Sequence, residues 1–476
     1  MAYAELDRRR IAFAHALRKH GVHPGAAVLL VSDNSIEYVV ALFGTLTAAA
    51  TVVPLPGDTP VEKLRTIAGI VSARVILVGR AARLDEIQRE APCPVFALAA
   101  GFPIEPRTSL ALPTVGASEL ALLLFTSGTT GVPKGVMLTH ANLVANAMAI
   151  VKCLSLTHDD SVVNILPFFY SYGNSVLLTH LLVGGTVVIE NRFSFPEIVV
   201  ESLLERQPTG FYGVPTTFYM LLSRTSFPQR DWTFLRYVAQ AGGGMRVDTI
   251  RRLRDLLPKT DVYIMYGQTE AAARLTVLPP AQLDSKLGAI GWPLPDVAIR
   301  VVDEAGEELP AGETGELVAQ GPNIMAGYYG DPASTREALR DGWLHTGDIA
   351  RRDEDGCLYV VGRKSDFIKS AAVRVAPAEI EEVIAACDGV EDVAAFGLED
   401  PLLGEAVAVC VTTSSGDVDP AEILRICSRR LPPHMVPKYI FFDNEIPKTA
   451  SGKKQYFRLR EKYRRSVDVD GLPHPG

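Results

Sequence analysis

A ten-residue stretch, Thr126-Ser-Gly-Thr-Thr-Gly-Val-Pro-Lys134-Gly135, constrains this chain more than any other feature. It follows an apolar run at residues 120–125 that predicts a buried strand, so we expect the loop at the carboxyl edge of a sheet, where α/β proteins bind ligands. Three glycines let backbone N–H groups turn towards an anion, four hydroxyls add donors, and Lys134 supplies a mobile positive charge. The stretch therefore predicts a loop that holds a polyphosphate.

Two familiar phosphate motifs are excluded. The chain has no GxxxxGK[ST] sequence, so the loop is not a Walker loop, and Gly242-Gly243-Gly244 does not continue as the GxGxxG of dinucleotide-binding folds. An ordinary Gly/Ser/Thr turn between two strands is the plain alternative. Ten residues in this order favour the phosphate loop over that turn.

The length of 476 residues exceeds one ordinary hydrophobic core and predicts two or more domains. A formal net charge of −8 means that the chain lacks the excess of positive charge that favours binding to nucleic acid or to an anionic membrane. The six cysteines are scattered without a CxxC pair, which suggests neither a zinc site nor a disulfide framework. With no signal-peptide pattern, we expect a cytoplasmic protein.

Two stretches without Asp, Glu, Lys or Arg, residues 38–57 and 161–189, raise the question of membrane-spanning helices. Proline interrupts the first stretch, and asparagine, proline and glycine interrupt the second. Buried strands and a core helix explain them better. In addition, residues 27–31 and 51–55 predict strands on either side of a helical stretch at 36–46, and this βαβ start predicts a doubly wound sheet.

Further motifs follow the phosphate loop along the rest of the chain. In chain order they are Leu166-Pro167-Phe168-Phe169-Tyr170-Ser171-Tyr172-Gly173, Ala241-Gly242-Gly243-Gly244, Tyr266-Gly267-Gln268-Thr269-Glu270, Gly315-Glu316-Leu317 through Gly327-Tyr328-Tyr329, His345-Thr346-Gly347-Asp348, Gly362-Arg363 and Pro447-Lys448-Thr449-Ala450-Ser451-Gly452-Lys453. Together with residues 126–135 they resemble the adenylate-forming superfamily, in particular its AMP-forming acyl-CoA and aryl-CoA synthetases. The resemblance covers essentially the whole chain.

The resemblance implies an α/β fold with a large N-terminal domain of doubly wound sheets and a smaller, mobile α+β C-terminal domain. We expect the N-terminal adenylation domain at residues 1–364 and the C-terminal domain, with the adenylation lysine, at 365–466. Ser365 corresponds to the hinge of the family. Residues 467–476 are expected to be a disordered tail.

The resemblance also implies roles for individual positions. The positions expected to bind the nucleotide are Thr126, Ser127, Gly128, Thr129, Thr130, Gly131, Lys134, Gly242, Gly243, Tyr266, Gly267, Thr269, Asp348, Arg363 and Lys453. The expected catalytic residues are Lys453, Thr269, Glu270 and Lys134. Tyr266 is expected to pack on adenine, and Asp348 to accept the two ribose hydroxyls. Glu270 is the expected Mg²⁺ ligand, because a hard cation that bridges phosphates requires carboxylate oxygen. For residues 315–329 a structural role is expected.

An acyl pocket is implied by the same comparison. Its expected residues are Tyr170, Ser171, Gly242, Gly243, Gly244 and Ala271. Peptide-synthetase domains that accept α-amino acids place an aspartate at the position of Tyr170, where it pairs with the ammonium group. The tyrosine here favours a hydrophobic carboxylic acid with an uncharged body.

The implied reaction is attack of the substrate carboxylate on the α-phosphorus of ATP, with release of pyrophosphate, followed by thioester formation with CoA. ATP, Mg²⁺ and CoA are the expected cofactors. Two alternatives remain open: an enzyme that passes its acyl adenylate to a carrier protein or a second enzyme, and a catalytically silent nucleotide-binding protein. Neither a nucleic acid nor a membrane is expected as a partner.

This chain departs from the family at two places. Relatives often have an arginine three residues after the adenylation lysine, where this chain has Tyr456. Similar CoA ligases often have Gly-Gly at the positions of Ala371 and Ala372, in a loop that helps to form the passage for the pantetheine arm of CoA. Two methyl groups narrow such a passage, and a left-handed conformation at either alanine costs about 1–2 kcal/mol more than at glycine.

The plain alternative is that the loop has relaxed and CoA still fits. If the passage is narrowed instead, we predict that the natural protein forms acyl-CoA slowly relative to acyl-AMP, and that the double variant Ala371→Gly/Ala372→Gly forms the thioester faster. The two products are measured separately, with and without CoA. Rapid acyl-CoA formation by the natural sequence, with no gain in the double variant, would reject the hypothesis.

Overall fold

A computed structural model of the chain describes residues 1–98, 111–126, 133–364, 366–370, 373–400, 403–413, 418–448 and 454–464. The chain divides into two compact units. The first contains residues 1–299 and 318–345, and the second contains residues 300–317 and the described residues from 346 onward. The domain boundary after residue 364 stays a prediction, and the tail at 467–476 lies outside the described residues.

The helices are α1 (Tyr3–Lys19), α2 (Ile36–Thr47), α3 (Val61–Ile70), α4 (Leu84–Glu90), α5 (His140–Leu154), α6 (Ser171–Val183), α7 (Pro196–Arg206), α8 (Pro215–Arg224), α9 (Val247–Leu256), α10 (Pro332–Ala338), α11 (Pro377–Ala385), α12 (Pro420–Arg430) and α13 (Tyr456–Tyr463). The strands are β1 (Ala27–Val31), β2 (Thr51–Leu55), β3 (Val75–Val78), β4 (Val95–Ala97), β5 (Leu120–Thr126), β6 (Lys134–Thr139), β7 (Ser161–Asn164), β8 (Thr186–Ile189), β9 (Gly210–Gly213), β10 (Tyr237–Gln240), β11 (Asp261–Tyr266), β12 (Thr276–Leu278), β13 (Trp292–Pro293), β14 (Ala298–Val302), β15 (Thr314–Gln320), β16 (Gly327–Tyr328), β17 (Leu339–Arg340), β18 (Trp343–Arg352), β19 (Leu358–Arg363), β20 (Ile368–Ser370), β21 (Val373–Val375), β22 (Val390–Asp400), β23 (Gly404–Thr413) and β24 (Tyr439–Phe442).

The first sheet has the strand order β16-β6-β5-β2-β1-β3-β4. Its central strands are parallel, and every residue of β1 is buried. Alternate β1 residues enter two different cores: Val28 and Leu30 pack with α1 and α2, whereas Leu29 and Val31 pack with α3. A strand covered on both faces needs a continuous apolar sequence, which explains why β1 shows no polar alternation. The predicted βαβ start is confirmed.

The second sheet has the order β13-β12-β11-β10-β9-β7-β8. Strands β7 to β11 are parallel to their neighbours, and the antiparallel strands β12 and β13 extend the sheet at one end. The charge-free stretch 161–189 forms β7, α6 and β8, and the stretch 38–57 forms most of α2 and all of β2. Within the described ranges, no helix has both the length and the apolar character needed to cross a membrane.

Two further sheets complete the fold. One has the order β14-β15-β18-β17, with β19 beside β18, and the other has the order β21-β20-β23-β22, with β24 beside β23. In the latter, β22 and β23 pair over their full length and pack with α11 and α12 around Ile380, Val393, Val409 and Ile423. The predicted α+β lobe is confirmed.

Candidate active site

The phosphate-loop stretch lies between two antiparallel strands. Thr126 at the end of β5 pairs with Lys134 at the start of β6, and the Thr126 Oγ1 hydroxyl donates to the Lys134 carbonyl at 3.5 Å. β5 is parallel to β2. The stretch follows the carboxyl end of β5 in the chain, as predicted. The positions Ser127, Gly128, Thr129, Thr130 and Gly131 lie outside the described residues, so their roles stay predictions.

Tyr328 connects Lys134 to Glu270, the predicted metal ligand. Its hydroxyl donates to Glu270 Oε1 at 2.9 Å, and the Lys134 Nζ lies 5.1 Å from the centroid of its ring. The contact arises because β16 pairs with β6, which places Tyr328 opposite Val136. We expected only a structural role for residues 315–329, so sequence reasoning missed this contact with the predicted metal ligand. A two-residue strand leaves no periodic signal by which to find it.

The predicted adenine and phosphate residues lie on a loop that folds back on itself after β11. The Leu275 N–H donates to the Tyr266 carbonyl at 2.8 Å and closes the loop. A Cβ at Gly267 would lie 2.2 Å from the Ala273 carbonyl oxygen, so only glycine fits there. Ala272 and Ala273 have φ values of +52° and +111°, which are strained for alanine. Strain of this kind persists only where the surroundings impose it.

Two buried asparagines impose that conformation. Asn146 Nδ2 donates to the Arg274 carbonyl at 2.8 Å, and Asn323 Nδ2 donates to the carbonyls of Ala271 at 3.1 Å and Arg274 at 2.9 Å. Between these supports, Thr269–Ala271 form a 3₁₀ turn. The turn presents Thr269 and Glu270, whereas Ala271, predicted in the substrate pocket, is fully buried.

The predicted pocket segment touches the same turn. Ser171 begins α6, and its Oγ lies 3.3 Å from Thr269 Oγ1. Tyr170 precedes the helix, and burial raises the pKa of its hydroxyl. The Tyr172 hydroxyl donates to the carbonyls of Gly213 at 3.2 Å and Ala239 at 3.0 Å, at the ends of β9 and β10. The structure thus brings the aromatic segment and the Thr269–Ala271 turn together.

Arg274 is a second residue that sequence reasoning missed. Its guanidinium Cζ lies 3.8 Å from the centroid of the Tyr172 ring, and the residue is only 3% exposed. Burial lowers the pKa of Arg274 and raises the pKa of Tyr172 to about 12. Among the described residues Arg274 forms no ion pair; its guanidinium lies against the ring face and Nη1 donates to the Ala273 carbonyl at 3.1 Å. A desolvated contact of this kind contributes about 2 kcal/mol and holds Tyr172 against the second sheet.

The three glycines at 242–244 differ in their surroundings. Gly242 has a φ of +91°, and a Cβ there would lie 3.2 Å from Val214 Cγ1 and 3.8 Å from Tyr172 Cδ1. A Cβ at Gly243 would make ordinary contact with Pro215, and a Cβ at Gly244 would meet no atom within 4 Å. Gly242 is therefore required by the backbone, whereas Gly244 faces open space.

In the second unit, Asp348 of β18 pairs with Arg363 of β19. Arg363 Nε lies 3.0 Å from Asp348 Oδ1, and the carboxylate side chain is 6% exposed. The Asp348 N–H donates to Thr346 Oγ1 at 3.1 Å, and that hydroxyl donates to the Leu317 carbonyl at 2.7 Å. The structure brings together the two predicted ribose residues. Lys453, Ser365, Ala371 and Ala372 lie outside the described residues, and their roles stay predictions.

Comparison with known families agrees with this arrangement. Residues 1–329 match the family profile described as "AMP-binding enzyme", and residues 379–453 match "AMP-binding enzyme C-terminal domain". The chain belongs to the AMP-binding enzyme family. This result confirms the resemblance stated from the motifs.

Similar curated relatives narrow the class. A feruloyl-CoA synthase from Amycolatopsis sp is 34% identical over 97% of this chain and 94% of the relative. A long-chain-fatty-acid–CoA ligase from Salmonella typhimurium is 34% identical over 98% and 91%. Within the family, the chain is an AMP-forming acid:CoA ligase, which adenylates a carboxylic acid and then forms a thioester with CoA.

Solved structures share the whole fold. ATP-bound MatB from Rhodopseudomonas palustris superposes with a TM-score of 0.90 at 29% identity, over 97% of this chain and 93% of that chain. The o-succinylbenzoate coenzyme A synthetase of Bacillus subtilis, solved with ATP and a magnesium ion, has a TM-score of 0.87 at 26% identity, over 96% and 94%. The predicted fold class is confirmed.

We predict that Tyr328→Phe raises the Mg²⁺ concentration needed for half-maximal adenylate formation about tenfold, because Glu270 loses the hydroxyl that orients it. Pyrophosphate release is measured against Mg²⁺ concentration, with Glu270→Gln for comparison and Tyr329→Phe as the matched control. An unchanged Mg²⁺ dependence in both Tyr328→Phe and Glu270→Gln would show that Glu270 does not hold the metal.

The glycine positions yield a paired prediction. Gly242→Ala should destabilise the protein by about 1–2 kcal/mol, because alanine is strained at positive φ and its Cβ would lie 3.2 Å from Val214 Cγ1, and it should also raise the KM for the acid, because Gly242 is a predicted pocket residue. Gly244→Ala is the matched control and should change the free energy of unfolding little. Urea unfolding and the KM for the acid are measured for both variants, and equal effects at the two positions would contradict the assignment.

Proposed function

We propose that this ligase activates a hydrophobic carboxylic acid, and that the described residues of the first unit orient the acid carboxylate for attack on ATP. The observation that carries the proposal is the 3.3 Å contact between Ser171 Oγ and Thr269 Oγ1. This contact joins the aromatic segment that precedes and begins α6 to the turn that carries Glu270. A reaction between two bound substrates gains most of its rate from such fixed placement.

The acid class follows from the side chains around this contact. Tyr170 occupies the place where an aspartate pairs with an ammonium group in amino-acid-activating domains. Tyr172 is held by its two hydrogen bonds, and Gly244 faces open space. These features support an aromatic or long acyl group and disfavour an α-amino acid.

Glu270 fits the proposed role of metal ligand. Tyr328 contacts Oε1, which fixes the orientation of the carboxylate and leaves Oε2 for a cation. Mg²⁺ is commonly held by one or two carboxylates together with substrate phosphates, so a single glutamate suffices. When bound, the ion supplies positive charge to the phosphate oxygens during adenylation.

The remaining charges support the same step. Lys134 lies beside Tyr328, near the base of the loop at 126–134, where its ammonium group is suited to phosphate. Asp348 is suited to accept the ribose hydroxyls, and Lys453 is proposed to offset the charge that develops as pyrophosphate leaves. The carboxylate oxygen forms a bond to the α-phosphorus, and the bond between this phosphorus and the oxygen that links it to the β-phosphorus breaks, so that this oxygen leaves with pyrophosphate. Catalysis then rests on position and electrostatics.

A substrate screen tests the proposal. Pyrophosphate release is followed with hydroxycinnamic acids, long-chain fatty acids, short dicarboxylic acids and α-amino acids, each with and without CoA. We expect at least about a hundredfold higher kcat/KM for the preferred hydrophobic class than for amino acids, which corresponds to roughly 3 kcal/mol of discrimination. A preference for α-amino acids or short dicarboxylic acids would contradict the proposed acid class.

A further inference from the structure

A second lysine follows Lys453, and its side chain is anchored in the second unit. Lys454 Nζ lies 2.8 Å from Glu381 Oε2 and 3.3 Å from Asp392 Oδ1, and it also donates to the Val393 carbonyl. The lysine side chain is 21% exposed and the glutamate side chain 13%. Lys454 therefore does not extend into solvent as an ordinary lysine near a chain end does.

Other contacts fix the two carboxylates. Glu381, on α11, accepts the Ala395 N–H at 2.9 Å through its other oxygen. Asp392, on β22, accepts the backbone N–H of Val393 at 2.8 Å. Its carboxylate also pairs with Lys448 Nζ at 2.6 Å. Two ammonium groups and two carboxylates thus form one network.

The network keeps its charges despite burial. Burial disfavours the Lys454 ammonium, but Glu381 and Asp392 raise the pKa of Lys454 above its ordinary value. Burial likewise opposes the ionised form of Asp392, but Lys454 and Lys448 lower the pKa of Asp392. Removing one member of such a network leaves an uncompensated charge, so the position of Lys454 is strongly determined.

The same two lysines close the segment that contains Lys453. Lys448 and Lys454 form an antiparallel bridge, and the Gln455 N–H donates to the Pro447 carbonyl at 2.8 Å. Residues 449–453, outside the described ranges, connect the two sides of this bridge. Consecutive Cα atoms are about 3.8 Å apart. The backbone of Lys453 is thus attached directly to a residue held by two carboxylates.

We infer that Lys454 is a positioning residue for adenylation: its ion pairs with Glu381 and Asp392 fix the chain that carries Lys453. The inference rests on the proposed role of Lys453. Because Lys453 is proposed to act on the charge of departing pyrophosphate, loosening Lys454 should slow acyl-AMP formation and leave thioester formation from acyl-AMP intact. General damage to the fold would slow both half-reactions.

The test compares the two half-reactions in each preparation, so that an inactive fraction cancels in their ratio. Acyl-AMP formation is measured in single turnovers without CoA, and thioester formation is measured from supplied acyl-AMP and CoA. The variants are Lys454→Met, Lys454→Arg, Lys453→Ala and the double variant Lys453→Ala/Lys454→Met. Lys438→Met is the matched control, because Lys438 Nζ pairs with the buried Asp400 at 2.7 Å elsewhere in the same unit.

Lys454→Met should slow acyl-AMP formation about 10- to 100-fold, which is the usual effect of a misplaced catalytic group. The KM for ATP should change less than about twofold, and the rate of thioester formation should not change. Lys454→Arg should recover most of the loss. The double variant should be no slower than Lys453→Ala, because residues that act as one unit are not additive. Lys438→Met should leave the ratio of the two rates unchanged.

An equal fall in both half-reactions, a normal adenylation rate in Lys454→Met, or multiplied losses in the double variant would each overturn the inference. The Lys453→Ala variant separates the two proposals. If Lys453→Ala adenylates normally, the proposed role of Lys453 fails and the positioning role fails with it. If only Lys453→Ala is impaired, the role of Lys453 stands and Lys454 has no positioning role.

Discussion

The close approach of Gly267 to the Ala273 carbonyl is the constraint on which the first unit's site depends. With 2.2 Å between that oxygen and the place a Cβ would occupy, the backbone after β11 can return on itself only because residue 267 has no side chain. This return sets the Thr269–Ala271 turn and brings Leu275 back to Tyr266. The carboxylate of Glu270 then meets the hydroxyl of Tyr328 across the first sheet's edge strand.

Charge in this protein is held by partners of several chemical kinds. Glu270 is oriented by a phenol, Asp348 by a guanidinium, and Lys454 by two carboxylates. Arg274 instead lies against the π face of Tyr172. Each partner limits the rotation of its charged group at a different cost in desolvation. Groups restrained in this way lose little freedom when a substrate binds, which is the physical basis of preorganised catalysis.

Much of the fold and the location of the motifs could be predicted from the sequence because the signals are local. The continuous apolar runs of β1 and β2 specify strands covered on both faces, and the glycine-rich stretch after β5 indicates an anion loop. The supports of the site could not be predicted. Asn146 reaches a carbonyl 128 residues away and Tyr328 reaches a carboxylate 58 residues away. Such pairs depend on how helices and edge strands pack, and no spacing in the sequence encodes them.

Arg274 and Lys454 show the same limit. A lone arginine in an alanine-rich segment and a lysine beside another lysine both suggest solvated surface, yet both side chains are largely buried. Their partners, a ring and two carboxylates, come from elements distant in the chain. Only the folded arrangement distinguishes them from ordinary basic residues.

The positive φ values of Ala272 and Ala273 limit how the enzyme can gain thermal stability during evolution. Each stores conformational strain that the asparagine hydrogen bonds hold in place. Substitutions that relax this loop would stabilise the fold and leave Glu270, the proposed metal ligand, less well oriented, so selection for thermal stability and selection for turnover act against each other here. A lineage that adapts to heat is therefore expected to gain its stability elsewhere, in the cores around β1 or in the lobe of β22 and β23, and to leave this loop strained.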